Sequence, residues 1–321
     1  MAEQYTYAVA RIHAIESSLL TAQDLEQLIS CRSMTEALNV LSDKGMDTNG
    51  AKGADEVVHR ERAAMWKLIA ELVSDMSVFD VFLYGNDFHN LKAAVKLTVC
   101  SDVPEHVFIN EGTVPAAEIA DAVKKREFER LPHFMRKAAE DAVQQLLETG
   151  DGGLCDVMLD RAYLEALTEA GKRSGCDMIE RYAEQTAALA DIRIAVRGAA
   201  LGKTAAFFAR SIAECETLDA AKLGTAAAKG MEDVLEYIRL TPYSGAADAI
   251  GESYTAFEKW CDDRIMDDVR REKYNQFTIA PIAAYILAKE TELKAVGLIL
   301  TGKQNMLDVQ LIRERLRDLY V

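Results

Sequence analysis

The hydrophobic and polar positions of this chain follow a helical period along most of its length. Apolar residues recur every three or four positions, whereas alternating β-branched and aromatic runs, which are typical of strands, are nearly absent. The pattern predicts a helix over residues 5–20, a second that Thr21 caps and that ends near Cys31, a third from Ser33, and a long helix over residues 56–76. We therefore predict an all-α protein.

Clusters of glycine, proline and turn-forming residues predict where these helices are interrupted. Loops are expected at residues 43–55, 101–115 and 149–153, and a break is expected near Gly85 and Asn86. The stretches 101–115 and 149–153 are short and flanked by apolar periodicity, so neither is expected to be a flexible linker.

The C-terminal part of the chain predicts two further helices. Pro281 suits the first turn of a helix, where a missing N–H is tolerated, and Gly302 is expected to end that helix. Its apolar positions form one stripe: Ile282, Tyr285, Ile286, Leu293, Val296 and Leu300. The final helix is expected to carry a second stripe: Val309, Ile312, Leu316, Leu319 and Tyr320.

A short pattern recurs three times at intervals of about a hundred residues, which indicates an internal repeat. Each copy reads acid, apolar residue, base or histidine, any residue, apolar residue, and we call the helices that carry it the signature helices. The three copies span residues 87–91, 191–195 and 292–296. Their candidate structural or interface positions are Asp87, Leu91, Asp191, Arg193, Glu292 and Lys294.

The repeat predicts three similar helical lobes. We place them at residues 1–110, which contain the first signature helix, at residues 111–215, and at residues 216–321, which include the C-terminal helix; the two chain termini are expected to pack together. The signature acids are interpreted as structural groups that cap a helix, or that pair with the base two residues later or with a neighbouring helix.

Composition and charge restrict the possible partners. Of the 321 residues half are apolar and 28% are charged, which is ordinary for a folded protein. The formal net charge of -15 argues against nucleic-acid binding and against lying on an anionic lipid surface, because both need a basic footprint. Partners with basic surfaces are favoured.

The cysteines and the apolar runs indicate a soluble protein of the reducing cytosol. Six cysteines are scattered without a Cys-x-x-Cys motif, as expected for small buried side chains. The N-terminus has charges where a signal peptide would be apolar. The longest apolar stretch, near Pro281, is about half of the ~20 residues that span a bilayer. Any contact with a membrane is therefore expected through a partner.

Two motifs suggest chemistry only incompletely. The string from Arg197 to Thr204 approaches a phosphate-binding loop, but Arg197 stands where the motif needs glycine and no buried strand precedes it. We interpret Gly202, and Gly302 in the third copy, as helix C-caps that are each followed by a lysine near exposed carbonyl groups. Glu56 and His59 form one Glu-x-x-His pair, whereas helical di-iron sites need a second pair and two more glutamates. No catalytic residue, cofactor or metal ion is therefore predicted.

Several stretches resemble the family of C subunits of V/A-type ATPases, whose eukaryotic vacuolar counterpart is the d subunit. They are the opening Tyr7-Ala8-Val9-Ala10-Arg11, the run SSLLTAQDLEQLI, the signature segment DFHNLKAAVK, and the C-terminal stretch from Pro281 to Lys294 with Gly302-Lys303 and Ile312-Arg313-Glu314 after it. The resemblance covers essentially the whole chain through the order and spacing of these stretches. The second and third copies lack the asparagine of the first, so it is not expected to be a general contact residue.

The resemblance implies a three-lobed, all-helical, funnel-like protein without catalytic activity. Such a protein sits at the cytoplasmic face of the cell membrane, between the membrane proteolipid ring and the central stalk of the D and F subunits, and transmits torque during ATP synthesis or cation pumping. Two alternatives stay open from the residues alone: a helical scaffold or adaptor of another cytosolic complex, and a helical metalloenzyme that uses Glu56 and His59.

Overall fold

The protein is helical throughout the part of the chain that the structure describes. The computed structural model describes residues 5–99, 107–272, 275 and 278–321, and no strand occurs among these residues. The α-helices are α1 Thr6–Glu16, α2 Ala22–Ser30, α3 Met34–Asp43, α4 Ala54–Leu72, α5 Tyr84–Leu97, α6 Ala116–Lys125, α7 His133–Thr149, α8 Gly152–Arg173, α9 Asp177–Ala200, α10 Ala205–Ser211, α11 Ala220–Lys229, α12 Met231–Arg239, α13 Gly245–Glu252, α14 Tyr254–Arg271, α15 Ala280–Gln304 and α16 Val309–Arg315. Short 3₁₀ helices occur at Met76–Phe82 and Phe128–Arg130. The predicted all-α class is confirmed.

Local capping explains where several helices begin. The Thr21 hydroxyl accepts the backbone N–H of Asp24 at 3.2 Å, and the Asp24 carboxylate accepts the backbone N–H of Thr21 at 2.8 Å, which forms a capping box at α2. Ser33 caps α3 through the backbone N–H of Glu36. Pro281 lies in the first turn of α15. These three predicted starts are confirmed.

Other predicted boundaries differ from the structure. The first helix ends at Glu16 rather than at residue 20, and the long helix ends at Leu72 rather than at residue 76. The break predicted near Gly85 and Asn86 is wrong, because both residues belong to the first turn of α5 and the interruption is the preceding 3₁₀ segment. Of the loop predicted at 101–115, residues 101–106 lie outside the described residues, and residues 108–115 contain no helix.

The final helix is shorter than its apolar stripe suggested. α16 ends at Arg315, and Leu319 and Tyr320 are buried from a non-helical tail. The Tyr320 hydroxyl lies 3.1 Å from a carboxylate oxygen of Glu16. Tertiary packing of two large side chains therefore decides the conformation here more than the helical period does.

One compact unit contains the first and the last residues that the structure describes. It comprises Met1–Met76, Cys176–Met178 and Asp248–Val321. Side chains from α2, α3, α4, α15 and α16 share one apolar core, which includes Leu28, Leu41, Val57, Val296, Leu300 and Ile312. Helices α1 and α16 thus belong to the same unit, and the packing of the two chain termini against each other stays a prediction.

Helix α15 is the central element of this unit. Every residue from Ala280 to Ala288 is buried, so the single apolar stripe predicted for this helix is too narrow a description. A helix that is apolar on all sides must be surrounded by other elements. None of the described helices has both the length and the apolar composition that crossing a bilayer requires.

Gly302 is an interior residue of α15, and its prediction as a helix end is wrong. The helix continues to Gln304. A Cβ at Gly302 would lie 2.6 Å from Cδ1 of Ile312, so glycine here allows close contact between α15 and α16. Gly202, in contrast, follows α9 with φ +61, which confirms that it ends that helix in the left-handed conformation glycine favours.

A second compact unit consists of Ser77–Gly175 and Ile179–Ala247. Its main core is formed by α5, α6, α7 and α8 and includes Phe88, Leu91, Val95, Ile119, Val123, Met135, Val143 and Leu159. A smaller cluster joins Leu164, Ala187 and Ala213. The lobe boundaries predicted at residues 110 and 215 stay a prediction.

Gly198 in α9 is a close-packing position of this second unit. A Cβ there would lie 2.4 Å from Cε1 and 2.7 Å from Cζ of Phe208, whose side chain is buried. We expect Gly198→Ala to lower the free energy of unfolding by about 1–3 kcal/mol, because the Phe208 ring has to move within a packed core. Urea unfolding followed by circular dichroism measures this change.

The matched control for Gly198→Ala is Gly251→Ala. Gly251 is also helical, in α13, and a Cβ there meets no atom within 4 Å. Its replacement is expected to stabilise the protein by about 0.5–1 kcal/mol through helix propensity. Equal effects of the two substitutions would contradict the packing argument.

Candidate functional site

The acid of the first signature helix fastens a loop to α5. Asp87 is fully buried, and its Oδ1 accepts the backbone N–H groups of Thr113 at 2.9 Å and Val114 at 3.3 Å. Its Oδ2 accepts the Thr113 hydroxyl at 2.6 Å. Burial raises the pKa of Asp87, and these hydrogen bonds oppose the rise. A Cβ at Gly112 would lie 2.3 Å from Asp87 Oδ1, so glycine is what allows the loop to approach this closely.

Two neighbours of Asp87 hold the same loop. The buried amide of Asn90 donates to the carbonyl of Ile109 at 2.7 Å and accepts its N–H at 2.8 Å. The exposed His89 places Nε2 2.8 Å from the carbonyl oxygen of Val107. The Asn90 contacts are specific to this copy of the pattern, because the other two copies have apolar residues at the asparagine position.

The acid of the second signature helix has a less complete set of partners. Asp191 is fully buried in α9, and its Oδ1 accepts the backbone N–H of Ala213 at 2.9 Å. Its Oδ2 has no hydrogen-bond partner among the described residues. Burial raises the pKa of Asp191 to about 8, against the opposing effect of the Ala213 N–H. Burial therefore favours the protonated form of this carboxyl group.

The acid of the third signature helix joins distant parts of the chain. Glu292 Oε2 accepts the backbone N–H of Leu20 at 2.6 Å, across 272 positions of sequence. Glu292 Oε1 accepts Lys289 Nζ at 2.6 Å, and the same ammonium lies 3.1 Å from Glu61. Burial lowers the pKa of Lys289, but Glu292 and Glu61 outweigh it, so that the pKa is raised.

The three acids thus make one kind of contact. Each accepts a backbone N–H from the segment that leads into another helix, which is α6 for Asp87, α11 for Asp191 and α2 for Glu292. A buried N–H without an acceptor is costly, so each carboxyl group both satisfies a donor and fixes a connection. We call these three contacts the carboxyl tethers.

The other predicted positions are placed differently. Leu91 is fully buried in the core of α5–α8. Arg193 is half-buried and Lys294 is exposed. The pattern therefore combines one tethering acid and apolar core positions with a basic position of varying exposure.

The carboxyl tethers are closed to solvent and suit a structural role. Asp87, Asp191 and Glu292 are each at most 1% exposed, which leaves no room beside them for a substrate. Sequence reasoning missed their partners, since a backbone N–H has no residue type to mark it. The glycine at position 112 is the one signal that could have indicated a close approach.

The incomplete motifs found in the sequence are structural where the chain is described. Lys203 N–H donates to the carbonyl of Gly198 at 2.9 Å, and the Thr204 hydroxyl caps α10, so the glycine-lysine string is a helix end followed by a helix start. Glu56 accepts the backbone N–H of Lys52 and lies 3.7 Å from Arg60. No group of three metal-ligating side chains occurs among the residues described.

Comparison with known proteins places the chain in a family. A family model described as ATP synthase (C/AC39) subunit matches residues 8–315. The chain belongs to this family. The match spans all three signature helices and all three carboxyl tethers.

Two curated relatives support the assignment over nearly the full length. The C subunit of the V-type sodium ATPase of Enterococcus hirae is 21% identical, over 96% of this chain and 97% of that protein. The C subunit of the A-type ATP synthase of Methanocaldococcus jannaschii is 22% identical, over 98% of this chain and 86% of that protein. The resemblance inferred from the sequence is confirmed at the level of the family.

Proposed function

We propose that this C/AC39 family chain is a non-catalytic coupling component of a V/A-type rotary ATPase. In this proposal it joins the central stalk of the D and F subunits to the membrane proteolipid ring, at the cytoplasmic face of the membrane, and transmits torque between them. The observation that carries the proposal is the family match over residues 8–315, together with relatives named as the C subunits of V-type and A-type enzymes.

The carboxyl tethers support a coupling role on physical grounds. A torque transmitter must be stiff, and close-packed helices have low compressibility. Loops that connect helices are the usual weak points of such a body. In this chain the connections before α6 and α2 are bonded to buried acids, which are themselves held inside signature helices.

The experiment that tests the proposal is co-purification. An affinity-tagged version of the chain, expressed in its own cell at its native level, is expected to carry the D and F subunits and proteolipid with it from gently solubilised membranes. The matched control is an untagged strain processed in parallel. Recovery of the chain with a different set of proteins and without any ATPase component would overturn the proposal.

We further propose that acidic surface of this chain faces the ring. Cytoplasmic loops of membrane proteins tend to be rich in Lys and Arg, and the net charge of -15 is their electrostatic complement. Retention of the chain on isolated rings is expected to fall between about 0.1 M and about 1 M salt, over which the Debye length falls from about 10 Å to about 3 Å.

A neutral osmolyte is the control for this salt titration, because it changes water activity without screening charges. We expect retention to stay constant when the osmolyte is added. Retention that is equally insensitive to salt would contradict the electrostatic arrangement and leave the family assignment intact.

A further inference from the structure

An open groove with an apolar floor and a polar rim lies between α5 and α6 in the second unit. Its volume is about 740 Å³. Its floor is formed by small and aliphatic side chains, which are Ala94, Leu97, Ala117, Ala120 and Val123. Leu147 of α7 borders the groove and is 48% exposed, although a side chain of this size is usually covered.

The rim of the groove carries two cations without acidic partners. Lys124 and Arg126 line it and are exposed, and their side chains make no hydrogen bond or ion pair with any described residue. The one acid of the lining, Asp121, is already neutralised by Lys125 at 2.9 Å and by Arg130 at 2.6 Å. This rim is therefore positive on a chain whose net charge is -15.

Arg126 also stands in an unusual backbone conformation. It ends α6 with φ +59, in the left-handed region. Its backbone N–H donates to the carbonyl oxygen of Val123, and the backbone N–H of Glu127 donates to the carbonyl oxygen of Ala122. This is a Schellman end, which glycine normally occupies. Elsewhere in the described chain the residues with positive φ are Gly45, Gly50, Gly150, Gly175, Gly202 and Gly230, with Met306 as the one other exception to glycine.

Non-glycine residues in strained backbone conformations cluster at functional sites, where the side chain has a role that glycine cannot fill. Glycine would relieve the backbone strain of this helix end, and arginine adds a guanidinium group to the rim of an apolar groove. The conformation, the unpaired charges, and the exposure of the apolar side chains of Ala117 and Leu147 are three separate observations that fit one occupant.

We propose that this groove binds an amphipathic helix of another protein chain, with apolar residues on the floor and Asp or Glu residues beside Lys124 and Arg126. The small side chains of Ala117 and Ala120 let a third helix approach closely, and the space between two helices accepts the ridge of another. The cations would form charge-assisted hydrogen bonds with its carboxylates. The partner lies within the ATPase complex if the function proposed above holds.

The first test is site-specific photo-cross-linking in the assembled complex. A photoreactive benzoylphenylalanine in place of the exposed Ala117 is expected to cross-link to a helical segment of another chain that contains Asp or Glu. The same residue in place of Glu118, on α6 but outside the groove lining, is the control and should miss that segment. Cross-links found only within this chain, or only to lipid, would overturn the proposal.

The second test separates binding from folding. Arg126→Gly suits the left-handed backbone, so the isolated chain should keep or raise its melting temperature, whereas association with the complex should weaken by about tenfold through loss of the charge. Arg126→Lys keeps the charge and the backbone strain, and should retain association. Unchanged association of the glycine variant would overturn the proposal.

The outcome is distinguishable from failure of the proposed function. The wild-type chain could purify without ATPase components while the groove cross-links to an acidic helix of some other protein. That result would support the groove proposal and contradict the rotary role. If the wild-type chain purifies with the ATPase and position 117 cross-links to nothing outside the chain, the groove inference alone fails.

Discussion

Replacement of Glu292 by alanine is expected to lower the free energy of unfolding by about 3–5 kcal/mol. The side chain is 1% exposed, and its removal leaves the Leu20 N–H without an acceptor and the Lys289 ammonium with Glu61 alone. Loss of one member of a buried ion pair is costly because the other charge stays desolvated. Urea unfolding followed by far-ultraviolet circular dichroism gives the free energy directly.

Two variants of the same helix serve as controls for this prediction. Glu290→Ala breaks the ion pair with Arg62, whose side chains are 23% and 25% exposed, and is expected to cost less than about 1 kcal/mol. Glu292→Gln keeps an oxygen that accepts the Leu20 N–H, so its loss in the free energy of unfolding should lie between those of Glu292→Ala and Glu290→Ala. Equal losses for the Glu292→Ala and Glu290→Ala variants would contradict the tether.

Asp191→Asn is expected to remove a pH dependence of stability. The pKa of Asp191 is about 8 in the folded chain, against 3.8 for an ordinary aspartate. Between these values the folded state binds a proton that the unfolded state has released, so this group's stabilisation is complete below pH 3.8 and is lost as the pH rises to about 8. At about 1.4 kcal/mol per pKa unit, the loss amounts to a few kcal/mol.

The difference between the variant and the wild type isolates this group from the other acids of the chain. Asparagine does not titrate and can still accept the Ala213 N–H, so the stability of Asp191→Asn relative to the wild type should increase steadily from pH 5 to about 8. Asp121→Asn is the surface control, since Arg130 and Lys125 lower the pKa of Asp121. If the stabilities of the wild type and of Asp191→Asn change with pH in parallel, the raised pKa of Asp191 is contradicted.

Local signals in the sequence predicted local structure well. The capping residues Thr21 and Ser33, the early Pro281 and the left-handed Gly202 were all recognisable, because each acts through its own backbone or that of the next few residues. The all-α class followed from helical periodicity for the same reason.

Contacts between distant segments could not be predicted. Gly202 and Gly302 occupy similar sequence contexts, yet only the first ends a helix, because Ile312 of another helix packs against the second. The signature acids were correctly singled out as a repeated pattern, but their partners at Thr113, Ala213 and Leu20 are backbone N–H groups that any residue supplies. Only the folded chain reveals them.

The coupling of ATP hydrolysis to ion transport tests the central proposal most directly. Membrane vesicles from cells that lack this chain are compared with vesicles from cells in which the wild-type chain is restored, and ATP hydrolysis and ATP-driven cation uptake are measured in parallel. We predict that ATP hydrolysis by the catalytic part of the ATPase persists without the chain, while cation uptake is lost and returns on restoration. Cation uptake that is unchanged in the absence of the chain would contradict the proposal.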